Sequence, residues 1–181
     1  SFMPMANATE RALSVYQPIN TGCLVYYGGE LSKLHENMSA VQPTVVFSAP
    51  VLWERFAGVF RSKLGSKDPT TLPSAVRKKL RKFIGCSRLR LGMSTTAGIH
   101  EDTLSFYRSL EMNVVSIYTK EALSGICTFC EPEKFALDTV GSAVDGVEMR
   151  VDPTSGELLR VIAVFACSLR TSVARLGGVS S

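Results

Sequence analysis

The chain has 181 residues, of which 45% are hydrophobic and 20% are charged, so its composition is that of a folded domain and excludes intrinsic disorder. Its formal net charge of +4 permits an anionic ligand but does not indicate a nucleic-acid-binding protein. No apolar run reaches the length of about 18 residues that a membrane-spanning helix requires.

The first third of the chain alternates between predicted helices and short strands. Apolar residues that recur every three or four positions predict helices, whereas short apolar runs bounded by proline or glycine predict strands. A loop rich in Gly, Ser, Pro and Thr follows at residues 61–74. The elements before it are a helix over residues 9–17 that ends at Pro18, a strand over 24–27, a helix over 31–41, a strand within 43–50 and a helix that begins at Val51.

The middle of the chain has the pattern strand, turn, helix, strand, turn. Apolar residues alternate over 89–93, as in a strand, and recur every three residues over 104–110, as on one face of a helix. Residues 114–118 form an apolar, β-branched run that is typical of a buried strand. Ligands of α/β sheets bind at the turns that leave the carboxyl ends of strands. The pattern therefore predicts two ligand turns, at residues 94–98 and 119–125.

A basic run between the first and second of these strands has three interpretations. Apolar residues interleave with its cations at helical spacing, which predicts an amphipathic helix with a charged outer face. A solvated face is the ordinary explanation, contact with an anionic membrane surface is the functional alternative, and nucleic-acid binding is the least favoured. The cations are Arg77, Lys78, Lys79, Arg81 and Lys82.

The cysteines bear on compartment and on chemistry. Their number, five, is odd and no secretory leader is present, which predicts a reducing, intracellular location that is either cytoplasmic or peripheral on an organelle membrane. Cys127 and Cys130 form a lone C-x-x-C. Because neither histidine has ligand spacing to this pair, coincidence is favoured over a redox site, and a redox site over a metal site.

Three phrases within residues 94–125 keep the register of motifs from one enzyme family. Ser94 follows its strand like the serine of S-G-A-A-P, and residues 106–110 read FYRSL where the family has F-F-R-S-L-G. Tyr118 and the closing Ser124-Gly125 match Y-G-x-T-E-x-S-G. On these residues the chain resembles the adenylate-forming enzymes and, within them, the long-chain fatty acid–CoA ligases.

The resemblance extends over most of the chain. Residues 1–11 read SFMPMANATER and resemble S-Y-L-P-L-A-H-x-x-E-R, and residues 43–55 and 135–159 resemble further framework phrases. It implies an α/β fold with a mixed, largely parallel sheet flanked by helices, a fragment of the large N-terminal domain of such an enzyme. Residues 1–165 would form an incomplete AMP-binding-like region, and residues 166–181 a divergent, poorly ordered tail.

The resemblance also implies a nucleotide site. Glu121 falls on the threonine of the second motif and Ala122 on the glutamate, which in the family helps to hold the magnesium of bound ATP. A one-residue slip of the turn would give that role to Glu121, the candidate catalytic and metal-binding carboxylate. The implied nucleotide-binding residues are Ser94, Thr95, Thr96, Ala97 and Gly98 in the first turn, and Tyr118 and Thr119 in the second.

The activity implied by the resemblance has two steps. A long-chain fatty acid is adenylated by ATP with Mg2+, and CoA then displaces AMP to give a thioester. The phosphate-binding loop and the C-terminal lysine domain of the family have no counterpart in residues 1–181. The expectation is therefore a truncated copy that is inactive alone, with enzymatic activity left open. The alternative is a pseudoenzyme, a non-catalytic remnant that binds a nucleotide, an acyl chain or a protein partner.

Overall fold

The computed structural model describes residues 1–65, 68–123, 125–131, 136–137, 139–156 and 158–163. The tail predicted at 166–181 lies outside these residues. The helices are α1 (Ala8–Arg11), which continues through a π-helical turn (Ala12–Tyr16) into α2 (Gln17–Thr21), then α3 (Leu34–Val41), α4 (Pro50–Leu64), α5 (Ser74–Phe83) and α6 (Glu101–Ser109). Short 3-10 turns lie at Leu31–Lys33, Pro69–Thr71 and Glu121–Leu123. The strands are β1 (Val45–Ser48), β2 (Leu91–Ser94), β3 (Val114–Ser116), β4 (Thr119–Lys120), β5 (Gly125–Ile126), β6 (Thr128–Phe129), β7 (Ser142–Ala143), β8 (Val147–Val151) and β9 (Leu158–Ala163).

A parallel three-stranded sheet in the order β1-β2-β3 lies at the centre of the fold. Its register pairs Ser48 with Ser94 and Ser94 with Ser116, so the three strands end level at their carboxyl edge. The other strands form three antiparallel pairs, β4 with β5, β6 with β7 and β8 with β9. The predicted α/β class, with parallel strands flanked by helices, is confirmed.

Both faces of the central sheet are buried, as is usual for parallel strands. Alternate strand residues point to opposite faces, so Val46 and Val114 join one core while Phe47, Met93 and Val115 join the other. Helices α4 and α6 cover the first face, and the N-terminal segment with β5 and β6 covers the second. On α4 the buried residues follow helical spacing: Trp53, Phe56, Ala57, Phe60 and Leu64.

Trp53 joins the sheet to both helices of the first face. Its side chain is fully buried, and its indole N–H donates a hydrogen bond to the Met93 carbonyl at 3.1 Å. The Tyr107 hydroxyl of α6 donates to the Trp53 carbonyl, and the two rings meet edge to face with centroids 5.6 Å apart. Burial raises the pKa of the Tyr107 phenol, which therefore stays neutral and able to donate this bond.

Three predicted boundaries are wrong. The first helix does not end at Pro18 but continues to Thr21, because Pro18 falls in the first turn of α2, where its missing N–H is tolerated. No strand forms over residues 24–27, because a strand requires a neighbour to pair with and the described chain supplies none there. The loop expected from residue 61 begins at Gly65, after the last turn of α4.

We expect Gly92→Ala to destabilise the fold by about 1–3 kcal/mol, the usual cost of overpacking a core. A Cβ at residue 92 would lie 2.6 Å from Cη2 and 2.9 Å from Cζ2 of Trp53, whose ring is locked by its hydrogen bond. The measurement is the denaturation midpoint in urea.

Gly58→Ala is the matched control for this substitution. A Cβ at residue 58 in α4 meets no atom within 4 Å, so the same chemical change should raise stability by about 0.5–1 kcal/mol through helix propensity. If Gly92→Ala left the midpoint unchanged, the close fit of Trp53 against β2 would be wrong.

Candidate functional site

The two predicted ligand turns meet at the carboxyl edge of the central sheet. The Ile117 N–H donates to the Ser94 carbonyl at 2.8 Å, which aligns the ends of β2 and β3. Directly beyond these ends the hydroxyl oxygens of Thr95 and Thr119 lie 2.8 Å apart, in hydrogen-bond contact. The parallel topology thus brings together residues 24 positions apart in sequence, as the strand-turn pattern predicts.

The first turn has a buried beginning and an exposed end. Ser94 and Thr95 are only 1% and 2% exposed, whereas Thr96, Ala97 and Gly98 face solvent. Thr96 has φ of +79°, an unusual conformation for a β-branched residue. Among the described atoms, the Ser94 hydroxyl is buried and has no hydrogen-bond partner. Of the five predicted contact residues in this turn, three therefore present atoms that a ligand can reach.

The second turn is held by its hairpin. The Tyr118 N–H donates to the Thr128 hydroxyl at 3.2 Å, and the Tyr118 carbonyl accepts from the Cys127 N–H at 2.8 Å. Thr119 then pairs with Ile126 in the antiparallel ladder of β4 and β5. The Tyr118 side chain is half-buried and that of Thr119 is also half-buried, so both lie at the surface of the edge.

Glu121 caps the first helix of the chain. Its carboxylate Oε2 accepts a hydrogen bond from the Ala8 N–H at 2.9 Å, across 113 residues of sequence. Asn7 caps the same helix end by accepting from the Glu10 N–H at 3.1 Å. Unpaired N–H groups and the helix dipole favour a negative charge at this position. Sequence patterns missed this contact, since only folding brings the second turn to the N-terminal helix.

The acidic residues bear on the expected metal. Within the described part of the chain, no three His, Cys, Asp or Glu side chains come together as a metal site. Magnesium in nucleotide sites is commonly bound by one or two carboxylates together with substrate phosphates. The exposed carboxylate of Glu121 fits a metal that arrives with a nucleotide, and the neighbouring Ala122 offers no second ligand.

The basic run on α5 divides into two groups. Arg77 and Arg81 point back to the fold, and their guanidinium nitrogens lie 2.7 Å and 3.6 Å from the carboxylate of Glu111. Arg81 also donates to the Glu111 carbonyl at 3.0 Å. The remaining cations, Lys78, Lys79 and Lys82, are exposed. The fold thus leaves three of the five predicted cations facing outwards.

Cys127 and Cys130 show no sign of redox or metal chemistry in the structure. Both thiols are free and buried, and they follow the short strands β5 and β6 in extended backbone. Burial raises the pKa of the Cys127 thiol, although the nearby Lys120 opposes this effect. A protonated thiol is a poor nucleophile and a poor ligand, so coincidence explains this C-x-x-C best.

Solved structures define the class of fold. The chain superposes on a long-chain-fatty-acid–CoA ligase (FadD1) from Archaeoglobus fulgidus with a TM-score of 0.60 and 17% identity. The match covers 88% of this chain and 31% of that one. At this identity the likeness concerns the fold, which is that of part of an adenylate-forming CoA ligase.

Sequence comparison gives the nearer relationship. The chain is 23% identical over 181 aligned positions to the long-chain-fatty-acid–CoA ligase ACSBG2 of Gallus gallus, covering 81% of this chain and 24% of the relative. It is 21% identical over 198 positions to ACSBG2 of Xenopus laevis, covering 88% of this chain and 27% of the relative. No family model matches the chain. The resemblance to long-chain fatty-acid–CoA ligases is thus confirmed, for a chain that spans about a quarter of the length of these relatives.

We expect Glu121→Ala to lower the free energy of unfolding by about 1 kcal/mol, since it removes a helix cap. The Ala8 N–H would lose its carboxylate partner at 2.9 Å. The measurement is a urea titration followed by circular dichroism. Glu54→Ala is the control, because Glu54 lies on the exposed side of α4, and its removal should change stability by less than about 0.5 kcal/mol. Equal effects of the two substitutions would contradict a capping role for Glu121.

Proposed function

We propose that this chain carries part of the nucleotide site of a long-chain fatty acid–CoA ligase. The observation that supports it most directly is the meeting of residues 94–98 and 119–123 at the carboxyl edge of a parallel sheet, joined at Thr95 and Thr119. This edge is where α/β folds bind ligands. The relationship to fatty-acid–CoA ligases gives the substrate class, namely ATP, a long-chain fatty acid and CoA.

In the proposed site each turn has a separate task. The exposed backbone of Thr96, Ala97 and Gly98 offers polar groups to the nucleotide, and the ring of Tyr118 lines the adenine side. The carboxylate of Glu121 would hold magnesium, which neutralises charge on the phosphates when the fatty-acid carboxylate attacks ATP. Acyl adenylation of this kind depends on positioning and on charge stabilisation, which a rigid sheet edge supplies.

A non-catalytic role is the second candidate. It is favoured by Glu121, whose carboxylate already caps a helix, and by Ala122 at the place of the motif glutamate. In that case the chain would bind a nucleotide, an acyl chain or a protein partner without turning over. The two candidates differ in whether ATP, fatty acid and CoA together release pyrophosphate in the presence of the chain. Its compartment, cytoplasmic or peripheral on an organelle membrane, stays a prediction.

We expect the purified chain to bind ATP with Mg2+, and Glu121→Ala to weaken that binding about tenfold, the loss of one contact to a charged group of about 1.5 kcal/mol. The measurement is isothermal titration calorimetry at fixed magnesium. Glu54→Ala, on the exposed side of α4, is the control and should bind as the unaltered chain does.

Two results would count against the proposal. Binding that is equal in the unaltered chain and in Glu121→Ala would remove the metal role of that carboxylate. The absence of binding in both would leave the fold without its nucleotide chemistry, and the non-catalytic candidate would then be tested with acyl chains.

We also propose that α5 contacts an anionic membrane surface. Its exposed cations are Lys78, Lys79 and Lys82, and the apolar side chains of Val76 and Phe83 beside them are 39% and 42% exposed. A surface that combines lysines with apolar groups is suited to an interface where amphiphilic substrates are found. No helix in the described residues combines the length and apolarity needed to cross a bilayer.

We expect Lys78→Ala with Lys82→Ala to weaken binding to phosphatidylserine vesicles roughly 30-fold, from about 1 kcal/mol for each lysine. The measurement is vesicle co-sedimentation at low salt. The matched control is Arg77→Ala with Arg81→Ala, which removes two cations that Glu111 already neutralises and should have a smaller effect. If both pairs of substitutions acted equally, net charge and not the exposed face of α5 would govern binding.

A further inference from the structure

We propose that Thr95 and Thr119 form a latch that holds the two ligand turns together in the free chain and that an adenine nucleotide must open. This inference rests on the proposed function for its ligand. Its structural basis is the 2.8 Å contact between the two hydroxyl oxygens, which crosses the junction between residues 94–98 and 119–123. Atoms at that separation leave no room between them for a ligand.

The latch is strong because one partner is buried. Thr95 is 2% exposed, so its hydroxyl would be left unsatisfied in the protein interior if Thr119 moved away. A buried hydroxyl that loses its partner carries a desolvation cost larger than the net gain of an ordinary hydrogen bond. Its neighbour Ser94 has a buried hydroxyl without a partner among the described atoms, so it gives Thr95 no replacement there.

A second contact holds the same turn. Glu121 lies two residues after Thr119 and is tied to the Ala8 N–H at 2.9 Å. The polar groups that the second turn would offer to a nucleotide and its metal are thus engaged within the chain. Both ties must be exchanged for ligand contacts before a nucleotide enters between the turns.

The sequence carries a matching signal. The motifs S-G-A-A-P and Y-G-x-T-E have glycine at the positions that Thr95 and Thr119 occupy, and glycine has no side chain with which to form this bond. Both positions carry threonine here, and the two threonines contact each other. The pair acts on binding through the spacing of the turns, so each threonine is a positioning residue.

The experiment removes the hydroxyls without changing the shape of the side chains. Thr95→Val, Thr119→Val and the double variant are compared by amide hydrogen exchange of residues 95–98 and 119–123 without ligand, and by calorimetry with ATP and Mg2+. Each single variant should raise exchange in both turns and tighten ATP binding about fivefold, which corresponds to a net hydrogen bond of about 1 kcal/mol. The double variant should gain no further affinity, since the same bond is already broken.

Two control variants accompany this series. Thr119→Ser keeps the hydroxyl and should retain the slow exchange of both turns. Thr70→Val removes a hydroxyl from the exposed turn Pro69–Thr71 and should leave the ATP affinity unchanged.

The outcomes separate the latch from the proposed function. Unchanged exchange in Thr95→Val and Thr119→Val overturns the latch, whatever the nucleotide does. Faster exchange with unchanged or weaker ATP binding overturns its role as a barrier to the ligand. If neither the unaltered chain nor any variant binds ATP, the proposed nucleotide site is overturned, while the exchange rates still decide whether the pair holds the turns.

Discussion

The packing of Trp53 against β2 is the contact on which the rest of the structure depends. Its indole N–H holds the Met93 carbonyl, and its own carbonyl accepts from Tyr107, so one residue of α4 connects the middle strand to α6. Gly92 lies under the ring, where any larger residue would collide with it. Because β2 is the middle strand, this contact fixes the height at which β1, β2 and β3 end and hence where their turns lie.

The candidate site is built on this fixed edge from parts that also stabilise the chain. Thr95 and Thr119 bond to each other, and Glu121 caps the helix that begins at Ala8. A residue that serves the fold in the free chain has to exchange that partner for a ligand. Any nucleotide affinity of this edge is therefore the difference between two sets of contacts, and the internal set lowers it.

Much of the fold and part of the site were predictable from the sequence. The period of the apolar residues gives α3, α4, α5 and α6 and the three parallel strands, because burial of one helix face or one strand run requires that spacing. The strand-turn pattern also gives the two turns, since parallel strands release their ligand loops at one edge. The continuation of the first helix past Pro18 and the absence of a strand at 24–27 were not predictable, because they depend on first-turn geometry and on pairing partners.

The sequence by itself determined the elements, the α/β class and the relationship to fatty-acid–CoA ligases, all of which are written in local spacing and in short motifs. Only the tertiary structure decided what the polar side chains do. It pairs Arg77 and Arg81 with Glu111, and it leaves Lys78, Lys79 and Lys82 exposed on the same helix. It sets Glu121 on Ala8 across 113 residues. Such contacts join positions that are distant along the chain, and a hydrogen bond or ion pair depends on a separation in space that local sequence spacing does not encode.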